Sequence, residues 1–144
     1  EVRKRTRNLA QSVYYTTQYY AALVFNNAFN SSYPGPDGKP LCAVNHPLAP
    51  GSTGTWSNAG NYDLTADNVE TVRNLMKFWT DDKGNLLAVN PDTLIVPPAL
   101  RKTALVIADS DKEPFTAENN VNIWKGSLNV IEWDFLTDPT AWFN

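Results

Sequence analysis

Side chains able to do chemistry are scarce in this 144-residue chain, which has one cysteine, Cys42, and one histidine, His46. A single thiol excludes a disulfide framework or a cysteine-built zinc site within one chain, and it fits a reducing cytosol. A catalytic triad or a Cys–His dyad would have to use His46. That residue sits in the turn-rich loop Asn45-His46-Pro47, with no accompanying set of base and orienting group. There is no glycine-rich phosphate cradle after a strand, no serine elbow and no H-E-x-x-H pattern. Gly38, Gly51, Gly54 and Gly60 are scattered and belong to turns. Asp109, Asp111 and Glu113 alternate, as do Asp81, Asp82 and Asn85, but neither run has the spacing of a calcium loop. Both read as solvated acidic loops. No cofactor, metal or catalytic residue is expected.

Strong net charge and long apolar runs are missing too. The formal charge is −3 and the pI about 5.0, so nothing draws the whole chain to nucleic acid or an anionic membrane. Val13–Phe25 follows a basic run but contains Thr16, Thr17 and Gln18. It is too short and too polar to span a bilayer, and no small-residue cleavage site follows it. No membrane association is expected. Internal repeats and low-complexity tracts are absent. The chain begins at Glu1 and stops just after Trp142-Phe143, and is expected to be a fragment of a longer protein.

What is present is aromatic. Five Trp, six Tyr and six Phe, with 42% hydrophobic and 19% charged residues, make a globular chain. Its length suffices for one domain or two small lobes. Periodicity predicts one long helix from residue 3 to about 31. Leu9, Val13, Thr16, Tyr20, Leu23 and Asn27 form one stripe at helical spacing, and Tyr15, Tyr19, Ala22, Phe25 and Phe29 a second. Such a rod, roughly 40 Å long, is apolar around most of its circumference and must be covered on more than one side. A core this small cannot do that, so neighbouring copies or further parts of the chain are expected to help. Tyr-rich faces suit interfaces, where the ring is buried and the hydroxyl stays paired. Arg3, Lys4, Arg5 and Arg7 at the helix start oppose its macrodipole. They read as a solvated basic start or as charges serving a partner.

Further along, Pro34-Gly35-Pro36-Asp37-Gly38 is dense turn chemistry, and residues 44–62 are expected to stay irregular. Thr65 is a candidate N-cap for a second helix, with Leu64 and Val69 as a hydrophobic staple. Val69, Val72, Met76 and Trp79 would line one face, and Asp81-Asp82-Lys83-Gly84 would end it. Leu86–Val89 and Thr93–Val96 read as strands, and Ala99–Ala108 as a third helix after Pro97-Pro98. Val121–Trp124 and Leu128–Leu136 read as a hairpin around Lys125-Gly126.

Several pieces occur in an order that resembles the major capsid proteins of tailed bacteriophages, in the Mu-like branch of the HK97-like family. Ala22-Leu23-Val24-Phe25-Asn26-Asn27-Ala28-Phe29 looks like the end of that family's spine helix. Asp37-Gly38-Lys39-Pro40-Leu41 and Asn45-His46-Pro47-Leu48 look like its following loop. Gly51…Trp56-Ser57-Asn58 and Asp63-Leu64-Thr65 are similar to the approach to its next helix. Asp82-Lys83-Gly84-Asn85 and Asn90-Pro91-Asp92 through Leu100 resemble the strand, Pro-Pro and helix unit of its axial domain. Leu128-Asn129-Val130-Ile131 through Asp138-Pro139-Thr140-Ala141-Trp142-Phe143 resemble the strand and turn beyond. The resemblance covers the chain from about Leu9 onward. It implies an α+β, partial HK97-like fold, with a spine helix and peripheral-domain loop in residues 1–62 and an axial-domain-like region in 63–144. It implies a structural subunit that self-assembles into pentamers and hexamers of an icosahedral head around double-stranded DNA held non-specifically. Portal, scaffold or decoration proteins would be its partners, and the virion, assembled in host cytoplasm, its place. Tyr15, Tyr19, Tyr20, Phe25 and Phe29 would anchor the spine, and Arg3, Lys4, Arg5 and Arg7 would meet an acidic neighbour or DNA. Asp37 and Gly38 would shape the turn, and Pro97 and Pro98 the start of the axial-domain helix. An encapsulin-like nanocompartment shell, a small hydrolase using His46 and an isolated binding domain are the alternatives.

Overall fold

The computed structural model describes residues 2–49, 53–81, 83–114, 117 and 120–144; Gly51 and Asp82, read above as turn or loop residues, lie outside them. Helix α1 is Val2–Asn26. It ends about five residues short of the expected limit, for a local reason. The Leu23 carbonyl takes both the Asn27 N–H at 3.0 Å and the Asn27 side chain at 2.9 Å, the last α-helical bond of the run. Ala28 N–H then takes Phe25 O, one residue tighter than α-helical, and Ala28 O accepts from Cys42 N–H at 2.8 Å in the returning loop. The chain turns there, before Phe29.

Residues 30–62 are mostly irregular, but not wholly. Strands β1 (His46–Pro47) and β2 (Thr55–Trp56) pair antiparallel, His46 opposite Trp56. Helix α2 is Ala66–Lys77. Thr65 caps it, its side chain accepting from Asn68 N–H, while Asp67 sits in the first turn. Leu64 and Val69, the staple pair, both bury into one core. Leu75 and Phe78 turn outward. The expected strand at Leu86–Val89 does not form. Asp81 Oδ1 accepts from Lys83 and Asn85 N–H, Ala88 has φ +51°, and Leu86 makes an isolated bridge to Thr80.

Strand β3 (Thr93–Val96) is followed by a 3-10 turn at Pro98–Leu100 and helix α3 (Arg101–Asp109). Strand β4 (Asn129–Glu132) returns parallel to β3, with Leu94 opposite Val130. The expected hairpin is therefore wrong. Val121 bridges Lys112 instead, and residues 123–127 are turns that lead into β4. A parallel pair needs a crossover of a dozen residues or more, and α3 supplies it. Val96, Leu94, Ala104, Ile107, Ala108, Val69, Leu64, Trp124 and Leu128 make the core between α2, α3 and the strands. Phe143 closes the far edge of β3, exchanging two backbone hydrogen bonds with Ile95 at 2.8 and 3.0 Å. The chain is α+β.

Candidate functional site: the aromatic rod and the loop clasp

Two features stand outside the core. The first is α1. Its C-terminal half and the turn after it are docked on residues 133–143. Phe25 meets Trp133 and Phe143 edge-on, with centroids 5.5 and 5.0 Å apart, and Phe29 stacks on Phe143. Tyr15 meets Phe135 at 5.8 Å. Polar pins fix this seam. Trp133 Nε1 donates to Gln18 Oε1 at 2.9 Å, Asn26 Nδ2 donates to Phe135 O, and Thr137 N–H donates to Asn26 Oδ1. The rest of the seam continues into Trp142, whose Nε1 donates to Tyr62 O at 2.8 Å.

The seam covers one side only. Ala22 is fully buried, yet Leu9, Val13, Tyr14, Tyr19, Tyr20 and Val24 are each more than half exposed, and Tyr15 is 53% exposed despite Phe135. Tyr14 packs edge-on to Tyr15, and Tyr19 to Tyr20. The rings thus form a rigid surface with few rotatable bonds, a composition that favours binding at low entropic cost. Neither stripe read from the sequence lies wholly on one side: Ala22 and Phe25 of the second face the body while Tyr19 is exposed, and Leu9, Val13 and Tyr20 of the first are exposed while Leu23 and Asn27 are half-buried. Arg3, Lys4, Arg5 and Arg7 continue the helix on exposed ground, with no acidic residue in its first turn.

The second feature is a clasp in the loop. Asp37 Oδ2 lies 2.6 Å from His46 Nδ1, and Asn58 Oδ1 lies 3.1 Å from His46 Nε2. Asn58 also accepts from Ala43 N–H and donates to Leu41 O, both at 2.8 Å. The imidazole, 7% exposed, stacks on Trp56 at 4.8 Å, and Trp56 meets Trp79 beyond α2 edge-on. Gly38 has φ +75°, the conformation glycine tolerates best, and Asp37 Oδ1 accepts from Lys39 N–H. The hydrogen bond from His46, then that from Lys39, holds the Asp37 carboxyl below its ordinary range. Pro97 is buried and extended, and Pro98 opens the turn before α3. His46 and Asp37 stood apart in the sequence, and Asn58, Gln18, Asn26 and Trp133 carried no assigned role there. Their isolated polar or aromatic character has no periodic signal, and only the folded loop brings them together.

Neither feature is a catalytic set. Both ring nitrogens of His46 are occupied, and burial pushes the Cys42 thiol up, away from the reactive thiolate. Among the described residues no group of three or more His, Cys, Asp or Glu could hold a metal ion. No helix of the described residues is long and apolar enough to cross a membrane. Residues 56–136, more than half of the chain, match the family model of the Mu-like prophage major head subunit gpT, and the chain belongs to that family. No curated protein matches it. A solved structure, the capsid of bacteriophage JBD30 decorated with minor capsid protein trimers, is similar at 21% identity and a TM-score of 0.45. The likeness covers 57% of this chain and 28% of that one.

Proposed function

We propose that this chain builds an icosahedral phage head, its copies joining as pentamers and hexamers that enclose double-stranded DNA. The observation that carries the reading is the outward face of α1, where Tyr14, Tyr19 and Tyr20 stand more than half exposed on a helix otherwise pinned at one end. Contiguous apolar surface on this scale marks interaction sites, and a family of head subunits makes a second copy the natural occupant. In this reading residues 1–62 act as spine and peripheral loop and residues 63–144 as the axial-domain-like body. Tyr15, Tyr19, Tyr20, Phe25 and Phe29 anchor the spine, the last two within the subunit and the others toward neighbours. Arg3, Lys4, Arg5 and Arg7 meet acidic surface of a neighbour or the packaged DNA. Asp37 and Gly38 shape the turn, and Pro97 and Pro98 start the α3 unit. Scaffold, portal and decoration proteins are its further partners, the virion its destination and host cytoplasm its place of assembly. Enzymatic activity plays no part, since the one histidine is consumed by structural bonds.

The test is electron microscopy of the intact protein and of a Tyr19→Lys/Tyr20→Lys variant. Regular closed particles from the parent, and folded but unassembled subunits from the variant, are expected. Unchanged particles from the variant contradict the role given to the rod. Reversing the charge of Arg3, Lys4, Arg5 and Arg7 is expected to impair assembly or DNA retention, and unchanged behaviour in both removes that role.

A further inference from the structure

We propose that the Asp37–His46–Asn58 clasp is a proton-dependent latch that holds the loop closed only while His46 is an imidazolium. The argument is one of hydrogen counting. Asn58 is fixed in orientation, because its Oδ1 accepts from Ala43 N–H and its Nδ2 donates to the Leu41 carbonyl, both at 2.8 Å. The atom that His46 Nε2 faces at 3.1 Å is therefore an acceptor, and Nε2 must carry hydrogen. Nδ1 faces the Asp37 carboxylate at 2.6 Å. Two backbone and side-chain donors, Lys39 N–H and the ring itself, already favour the ionised carboxylate. Nδ1 must then donate as well. A neutral imidazole carries one N–H, so either tautomer would aim a ring lone pair at an oxygen lone pair.

Asp37 is the charged group the ring meets. The other side chains against it, Trp56 from β2 and Asn58 beyond, are uncharged. Histidine changes charge between about pH 5 and pH 8. A ring with a single N–H would turn one of the two bonds into a repulsion. What opens is specific. Ala43 N–H is held by Asn58 Oδ1 and Asn58 N–H by Ala43 O, so these amides report on the clasp. Trp56 and the Cys42–Ala28 bond still tie the loop to the rest of the chain, so the opening is local to the clasp. The latch stands independently of head assembly.

The experiment is amide hydrogen exchange on the intact protein from about pH 5.5 to about pH 8.5. Protection of the Ala43 and Asn58 segments is measured relative to β3 and β4 at the same pH, which cancels the intrinsic rate. The parent is expected to lose about tenfold in relative protection across that range. Asp37→Asn is the decisive variant. Its amide can keep the bond from Lys39 N–H and donate to Nδ1, so a neutral ring satisfies both partners and the pH dependence disappears. His46→Ala is expected to be open at every pH. A flat profile for the parent, or an undiminished slope in Asp37→Asn, overturns the latch.

Discussion

Asn122 is a polar side chain 4% exposed at the edge of the core. Its amide nitrogen donates to Ile107 O at 2.7 Å and Ser110 O at 2.9 Å, closing the last turn of α3, and its oxygen accepts from Trp124 N–H at 3.0 Å. Asn122→Ala leaves buried carbonyls without a donor and is expected to cost roughly 1–3 kcal/mol, read from the midpoint of urea unfolding. Leu94, fully buried in β3, is expected to cost about 2–5 kcal/mol as Leu94→Ala by the same measurement. Acid acts on other residues. Asp37, Asp81 and Asp138 all have folded pKa values below the ordinary carboxylate value, held there chiefly by His46, Asn85 and Thr140 respectively. Their contribution is complete above the unfolded value and is lost as pH falls through the folded one. Stability is therefore expected to decline below about pH 4, and Asp138→Asn to shallow that decline in urea titrations at successive pH values. None of this was visible in the sequence. Asn122 looked like part of a strand, because Val121–Trp124 is β-prone and precedes the turn signal Lys125-Gly126, and neither signal reports that a side chain caps a helix 12 residues earlier.

Elements were legible where capping and periodicity agreed. Thr65, Leu64, Asp67 and Val69 announce the start of α2, and the Thr65 hydroxyl does accept from Asn68 N–H at 3.2 Å. Thr65→Ala is expected to cost about 1 kcal/mol, measured by thermal unfolding. Strand β3 and helix α3 were also readable, since Pro97-Pro98 punctuates a β-branched run and a helical one. The misread elements share a cause, which is that pairing partners are non-local. Leu128–Leu136 looks like the second arm of a hairpin because Lys125-Gly126 precedes it, and Gly126 does adopt φ +73°. Yet the partner of β4 lies across α3, so its register is set by the core residues Leu94 and Val96 and not by the turn. The end of α1 was overestimated for a similar reason. Phe29 continues the helical stripe, but the Ala28 carbonyl is claimed by Cys42 from the loop.

At the scale of the whole molecule, α1 sets the character of the chain. A rod apolar nearly all round needs cover on more than one side. Within one chain the seam to residues 133–143 covers one side of its C-terminal half, through Tyr15, Gln18 and Phe25, and of the turn after it through Phe29. Tyr15 and Tyr19 remain about half exposed, as the proposed contact with a second copy requires. That the chain belongs to a family of head subunits could be read from the order of its motifs, from Phe25-Asn26-Asn27 to Trp142-Phe143. The seam itself could not, because it joins residues more than 100 positions apart, as in the bond from Trp133 to Gln18. The most direct measurement is single-particle cryo-electron microscopy of the intact protein. The account predicts closed, regular particles in which Tyr14, Tyr19 and Tyr20 of one copy are buried against another. A well-ordered monomer that persists at high concentration with those three rings in water would contradict it.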